Sequence, residues 1–223
     1  MPRADRPPRV EGSGVERRLL GFVLAVVVGH HDGFLLAPLG EVGPTRIADW
    51  VDLGLPLAVL GSAGATLSAA GACRAAWILF ALGALLYAQG HGIHLAANSV
   101  SNVDPGPTAH LWDEVVGHYV WYGGLALVVA ALALELAPKP YATGPWTFGL
   151  AGAFGLTAAT NAIEGGTAVF GMATAAVFVV WGWRRRHAMG AALLSAYAVS
   201  LVLLAGWGIA WRGYPQFSEL GWL

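Results

Sequence analysis

The chain has 223 residues, 57% of them hydrophobic and only 11% charged, with a formal net charge of -1 and a mean hydropathy of +0.61. Soluble domains carry roughly 25% charged residues, so these values exclude an ordinary soluble protein and point to an all-α protein that crosses a membrane several times. There is no basic stripe with interleaved aromatics, which excludes nucleic acid as a partner, and the single cysteine, Cys73, excludes an internal disulfide and a thiolate metal site.

In chain order, residues 1–17 are polar, Pro-rich and basic, and read as a disordered cytoplasmic tail. The apolar run that follows passes through His30, His31 and Asp32 with no small-residue cleavage site, so it reads as a retained first helix rather than a signal peptide. A spanning helix needs roughly 20 mostly apolar residues. Cutting the chain at charges, Pro and Gly predicts about seven such segments: 18–38, 52–71, 75–97, 114–136, 146–163, 167–183 and 189–211. The fifth and sixth are joined by a tight NAIEGG turn, and residues 212–223 form a short extracytoplasmic tail. The 31 glycines suit close helix packing in lipid, although GALLYAQG and GGLALVV do not form a sustained small-residue face.

Seven spans with a cytoplasmic N-terminus place Arg3, Arg6, Arg9, Arg17, Arg18, Arg74, Lys139, Arg184, Arg185 and Arg186 inside and only Arg46 and Arg212 outside. That partition follows the positive-inside rule. Trp50, Trp112, Trp121, Tyr122, Trp146, Trp181, Trp183, Trp207 and Trp211 cluster at segment ends, as an interfacial aromatic belt would.

On this topology the ionisable residues gather at the outer level: Asp32 on the first segment, His91 and His94 on the third, Asp113, Glu114 and His118 on the fourth, and Asn161 and Glu164 on the fifth. Only Glu135 lies in the cytoplasmic half. Residues three or four apart share a helix face, which groups His91 with His94, His94 with Asn98, Glu114 with His118, and Asn161 with Glu164. A Glu and a His four apart, facing a His from another helix, resemble the carboxylate–imidazole metal sites of helix bundles. Without thiolates the donors suit a divalent metal, zinc first. The expected ligands are His94, Glu114 and His118. Glu164, Asp113 and Asp32 are the expected catalytic residues, and His91, Asn98 and Asn161 are auxiliary. His30, His31, His110 and His187 read as structural or solvated. Ionisable residues within a membrane default to function, yet the same groups could pair only to hold helices together.

Three segments resemble the ceroid-lipofuscinosis neuronal protein 6 family: IHLAANSV (93–100), WDEVVGHYVWY (112–122) and AIEGGTAVF (162–170). DWVDLGLPLAVL (49–60) and HHDGFLL extend the likeness toward the first two segments. The resemblance implies a multispanning protein of the endoplasmic reticulum membrane, and by position it selects Asp32, His94, Asp113, Glu114, His118 and Glu164. Asn98 stands where that family has Asp, and His91 has no counterpart. The Ala-, Gly- and Arg-rich composition is that of a high-GC bacterial genome, for which the bacterial inner membrane is the expected location.

The leading functional expectation is a metal-assisted hydrolase or transferase acting on a membrane lipid or lipid-like substrate. A bound cation would lower the pKa of water from 15.7 toward roughly 7. The alternatives are a scaffold or cargo receptor, as the resembled family implies, and a carrier of protons or small solutes. Oligomeric state is not set by any feature of the sequence.

Overall fold

The structure, a computed structural model, describes residues 13–139, 146–185 and 187–222. Residues 1–12, with Arg3, Arg6 and Arg9, and Arg186 lie outside the described residues. The fold is all-α apart from one two-residue hairpin. The first long helix, α1 (Ser13–Gly29), starts five residues before the expected 18 and stops at HHD. Asp32 therefore lies beyond the first long helix, on a separate turn, α2 (Asp32–Leu35). The hairpin pairs β1 (Glu41–Val42) with β2 (Thr45–Arg46) through Gly43, whose φ of +63° suits glycine at a two-residue turn. It delivers Arg46 to the start of α3 (Ile47–Asp52), where the backbone N–H and guanidinium of Arg46 donate to Asp49.

Six long helices follow: α4 (Leu55–Ala69), α5 (Arg74–Ser101), α7 (His118–Leu136), α8 (Trp146–Glu164), α9 (Ala168–Arg184) and α10 (Ala188–Trp211). A short α6 (Pro107–His110) and a π-helical stretch, Leu111–Gly117, lead directly into α7. Each expected apolar segment thus contains a long helix, although in the first the helix ends at Gly29 and not at 38. Four stretches are long and apolar enough to cross a membrane: Ile47–Ala69, Arg74–Ser101, Pro107–Leu136 and Ala188–Trp211. The large apolar side chains Leu57, Leu85 and Ile209 are 79%, 70% and 80% exposed on outer faces. Both features are consistent with an integral membrane protein.

Glycine sets the closest contacts. Gly83 and Gly90 of α5 meet α7 near Gly124 and Trp121, and Gly117 lies under His94. A Cβ at Gly90 would overlap the Trp121 backbone, and one at Gly117 would stand 3.0 Å from the His94 Cα. GALLYAQG and GGLALVV are therefore the facing surfaces of one helix pair. The closely packed glycines are seven residues apart, Gly83 and Gly90 on one side and Gly117 and Gly124 on the other, which is why a small-xxx-small pattern does not describe them. Glu135 also has a structural role. It accepts hydrogen bonds from Lys139 and from the Cys73 backbone N–H, so it ties the end of α7 to the α4–α5 turn.

Candidate functional site

A cavity of about 430 Å³ opens at the end of the bundle where α1, α5 and α8 finish and α7 begins. Asp32, His94, Asn98, Glu114, His118, Asn161 and Glu164 line it. Asp113 and His91 stand one layer behind the wall, 5% and 2% exposed. All nine residues singled out by the sequence therefore belong to one assembly.

Two imidazoles form its centre. The rings of His94 and His118 lie 4.5 Å apart, centroid to centroid. His94 Nδ1 approaches the Asp113 carboxylate at 2.5 Å, an ion-pair contact that is off the direction of an aligned hydrogen bond. His118 Nδ1 is 3.2 Å from the Glu114 carbonyl oxygen and 3.4 Å from its carboxylate. A carbonyl oxygen only accepts, so neutral His118 carries its proton on Nδ1 and keeps Nε2 as the base. A carboxylate facing Nδ1 of His94 selects the same tautomer. Spacing anticipated the His118–Glu114 pair, but the partner of His94 is Asp113, not Glu114.

Both carboxylates belong to the π-helical stretch Leu111–Gly117. Asp113 and Glu114 are consecutive, so on this helical stretch their side chains point in different directions. Asp113 turns toward α5, and Glu114 turns toward the cavity. Single π turns recur at functional sites in other helices.

Aromatic rings floor the cavity. Trp121 stacks on His94 at 5.2 Å and on His118 at 6.0 Å, and Tyr122 stacks on His118 at 5.3 Å. Trp121, expected in the aromatic belt, is 5% exposed and belongs to the site, whereas Trp50, Trp146 and Trp183 are exposed. His91, expected to be auxiliary, is almost fully buried and bonds Asp52 of α3 at 3.1 Å. His30 also lines the cavity and bonds the Tyr87 hydroxyl at 3.0 Å. His31 Nε2 is 3.3 Å from the Thr160 hydroxyl. Sequence reasoning passed over Asp52, His30 and Trp121 because their partners come from distant segments.

The C-terminal segment is the largest departure from expectation. Arg212, in the left-handed conformation at φ +54°, ends α10 and turns the chain back. Residues 214–222 then fold over the cavity mouth. Gln216 donates to the Glu114 carboxylate at 3.1 Å and to the Glu164 carbonyl, and the Phe217 N–H donates to the Glu164 carboxylate at 2.7 Å. Phe217 and Trp222 pack on Trp207. Glu164, expected as a catalytic base, is thus largely engaged in anchoring this strap. Asn161 is likewise turned inward, donating to the Thr157 carbonyl at 2.9 Å.

Among the described residues, no three His, Cys, Asp or Glu side chains form a group that could hold a metal ion. The reason is local: both Nδ1 atoms face their own carboxylates, and the two rings lie over one another instead of pointing nitrogens at a common centre. Outside the spans, burial and the adjacent Asp52 carboxylate push Asp32 up to about 7.

No family model matches the chain, and neither does any curated protein or solved structure.

Proposed function

We propose that this protein is a seven-span integral membrane protein, N-terminus cytoplasmic, that performs acid–base hydrolysis or group transfer on a membrane lipid or lipid-like substrate. The observation that carries the reading is the pair of adjacent imidazoles at a cavity, with His118 Nδ1 hydrogen-bonded to the Glu114 carbonyl and His94 Nδ1 in ion-pair contact with Asp113. An acidic group behind an imidazole fixes its tautomer and stabilises the imidazolium that forms. One Nε2 takes the proton from the attacking water or hydroxyl. The other, protonated, gives a proton to the leaving group. Asp113 and Glu114 serve as positioning residues, and Asp32 is the carboxylic acid within the same cavity. Positioned proton transfer of this kind is worth roughly 10²–10⁴ in rate.

The orientation rests on the charge partition: Arg74, Lys139, Arg184 and Arg185 share one end of the bundle with Arg17 and Arg18. At about 1.5 Å per residue, α1 and α9, each 17 residues, extend about 26 Å, a little short of the roughly 30 Å hydrocarbon core. Local thinning of the bilayer and flanking arginines accommodate such a shortfall. Distant kinship with the ceroid-lipofuscinosis neuronal protein 6 family is part of the same proposal, because its three matching segments all contribute to the cavity.

A metal-assisted variant, with zinc on His94, Glu114 and His118, draws support from the presence of all three on one cavity wall. It requires the two rings to turn away from their present partners. A carrier is the less supported reading, because the cavity toward the opposite end is walled almost wholly by apolar side chains.

The test is lipid turnover. Purified protein in nanodiscs made from a total bacterial lipid extract is incubated, and lipid classes are followed by mass spectrometry. The expected result is loss of one class, abolished by His94→Gln and His118→Gln in variants that still fold. Metal analysis of the same preparations separates the acid–base form from the zinc form. No change in any class, or equal change in the variants, overturns the catalytic reading. Unfolding of both variants would favour the scaffold instead.

A further inference from the structure

Three cavities lie in series between α1, α7, α8 and α10. At the end opposite the His pair is a chamber of about 300 Å³ walled by apolar side chains such as Leu19, Leu132, Leu150 and Leu193. A waist of about 50 Å³ follows, sharing Phe154 and Tyr197 with that chamber. The waist in turn shares His30, Tyr122 and Asn161 with the polar cavity. Thr157 and Thr167 line the waist, but their hydroxyls donate to carbonyls of their own helix region, at Ala153 and Ala162.

From Asn161 to Trp146 the series follows α8 for about 22 Å at 1.5 Å per residue. One leaflet of a roughly 30 Å core is about 15 Å deep, so a leaflet-length hydrocarbon chain fits within the series. The waist, of about 50 Å³, is far smaller than the chamber or the polar cavity, so a single linear chain is the occupant that suits it.

The polar end sets the head group. Asp32, Asp49, Asp52, Glu114 and Glu164 face this cavity, against one permanent cation, Arg46. Arg46 is already spent on Asp49, at 2.7 Å. Asp52 is paired with His91, at 3.1 Å, and Asp32 stands beside it. An anionic head would meet a lining that holds five carboxylates and one permanent cation, and an ammonium or hydroxyl head suits it better.

We propose that the series of cavities binds a single-chain amphiphile with an amine- or hydroxyl-bearing head, its head at the His94–His118 pair and its chain threaded past Phe154 and Tyr197 into the apolar chamber. The chain position stands on the cavities alone; only the statement that this amphiphile is the substrate rests on the catalytic reading above.

The experiment uses full-length protein in nanodiscs with a long-chain amino alcohol carrying a mid-chain diazirine. After photolysis, labelled peptides are mapped by mass spectrometry. Adducts are expected on residues of the waist and apolar chamber, such as Phe154, Leu193 and Tyr197. The phosphate monoester of the same chain should label about tenfold less or weaker still, since like charges in a desolvated site repel. Ala192→Trp, which fills the chamber, should abolish the inner adducts. The wild-type map keeps the proposal falsifiable even if that variant misfolds. Adducts only on outer faces such as Leu57, Leu85 or Ile209 overturn the binding path, and stronger labelling by the phosphate overturns the head assignment. His94→Gln separates the two proposals. Inner adducts without wild-type turnover leave this inference standing and the catalytic reading failed. Turnover lost in His94→Gln, without inner adducts in the wild type, does the reverse.

Discussion

Asp32 shows how one carboxyl group reports on its surroundings. It stands past the end of α1, beside Asp52, and burial together with that neighbour raises it from 3.8 to about 7. Between those values the native protein keeps a proton that the unfolded chain has released. Native-state stability from this group therefore falls as pH rises through that window and levels off above about 7. Asp32→Asn removes the dependence: the variant should match wild type near the acid end and melt at a higher temperature than wild type at alkaline pH, as thermal unfolding in detergent would reveal. Equal slopes in the two proteins would show that Asp32 is not crowded. At this scale the sequence was informative where both partners lie on one helix, as with Glu114 and His118. It was silent where they do not, because nothing local joins His91 to Asp52 or His94 to Asp113.

Between elements, the approach of α5 to α7 decides whether the His pair exists at all. His94 comes from one helix and His118 from the other, and Gly83, Gly90, Gly117 and Gly124 allow the backbones to meet. Gly90→Ala would drive a methyl group into the Trp121 backbone and is expected to destabilise the protein by about 1–3 kcal/mol or more, as overpacking does. Gly92, two residues on, has open space around its Cβ position. Gly92→Ala should be neutral or stabilising by up to about 1 kcal/mol, since alanine is the better helix former. Melting temperatures of the two variants check the contrast, and equal losses would refute it. Segment positions were legible because each helix needs a long apolar run. The interruption at HHD was visible in the sequence, but whether the helix breaks there was not, nor was the π stretch, because both depend on what the turns pack against.

For the whole molecule, two predictions concern orientation and closure. Cys73 is exposed at the α4–α5 turn, which the seven-span arrangement puts in the cytoplasm. A membrane-impermeant maleimide should label it in inverted vesicles and not in intact cells; the opposite pattern would reverse the topology. The folded-back C-terminus meets the cavity through Gln216 and Phe217. A chain ending at Arg212 should still fold, because the helices are complete without the strap. It should lose about 1 kcal/mol for each hydrogen bond removed from Glu114 and Glu164. Unchanged thermal stability would mean that the strap is not seated there.

What the sequence by itself determined is the membrane-like, all-helical class, the position of every long helix and the end of the bundle where polar groups gather. Those follow from hydropathy and charge, which act along the chain and can be read in order. Only the tertiary structure decided which carboxylate backs which imidazole, that Trp121 floors the site, that residues 214–222 close over it, and that three cavities run in series behind it. Each of these depends on groups brought together from distant parts of the chain, where contact distance and the geometry of packed helices, not local pattern, choose the neighbour.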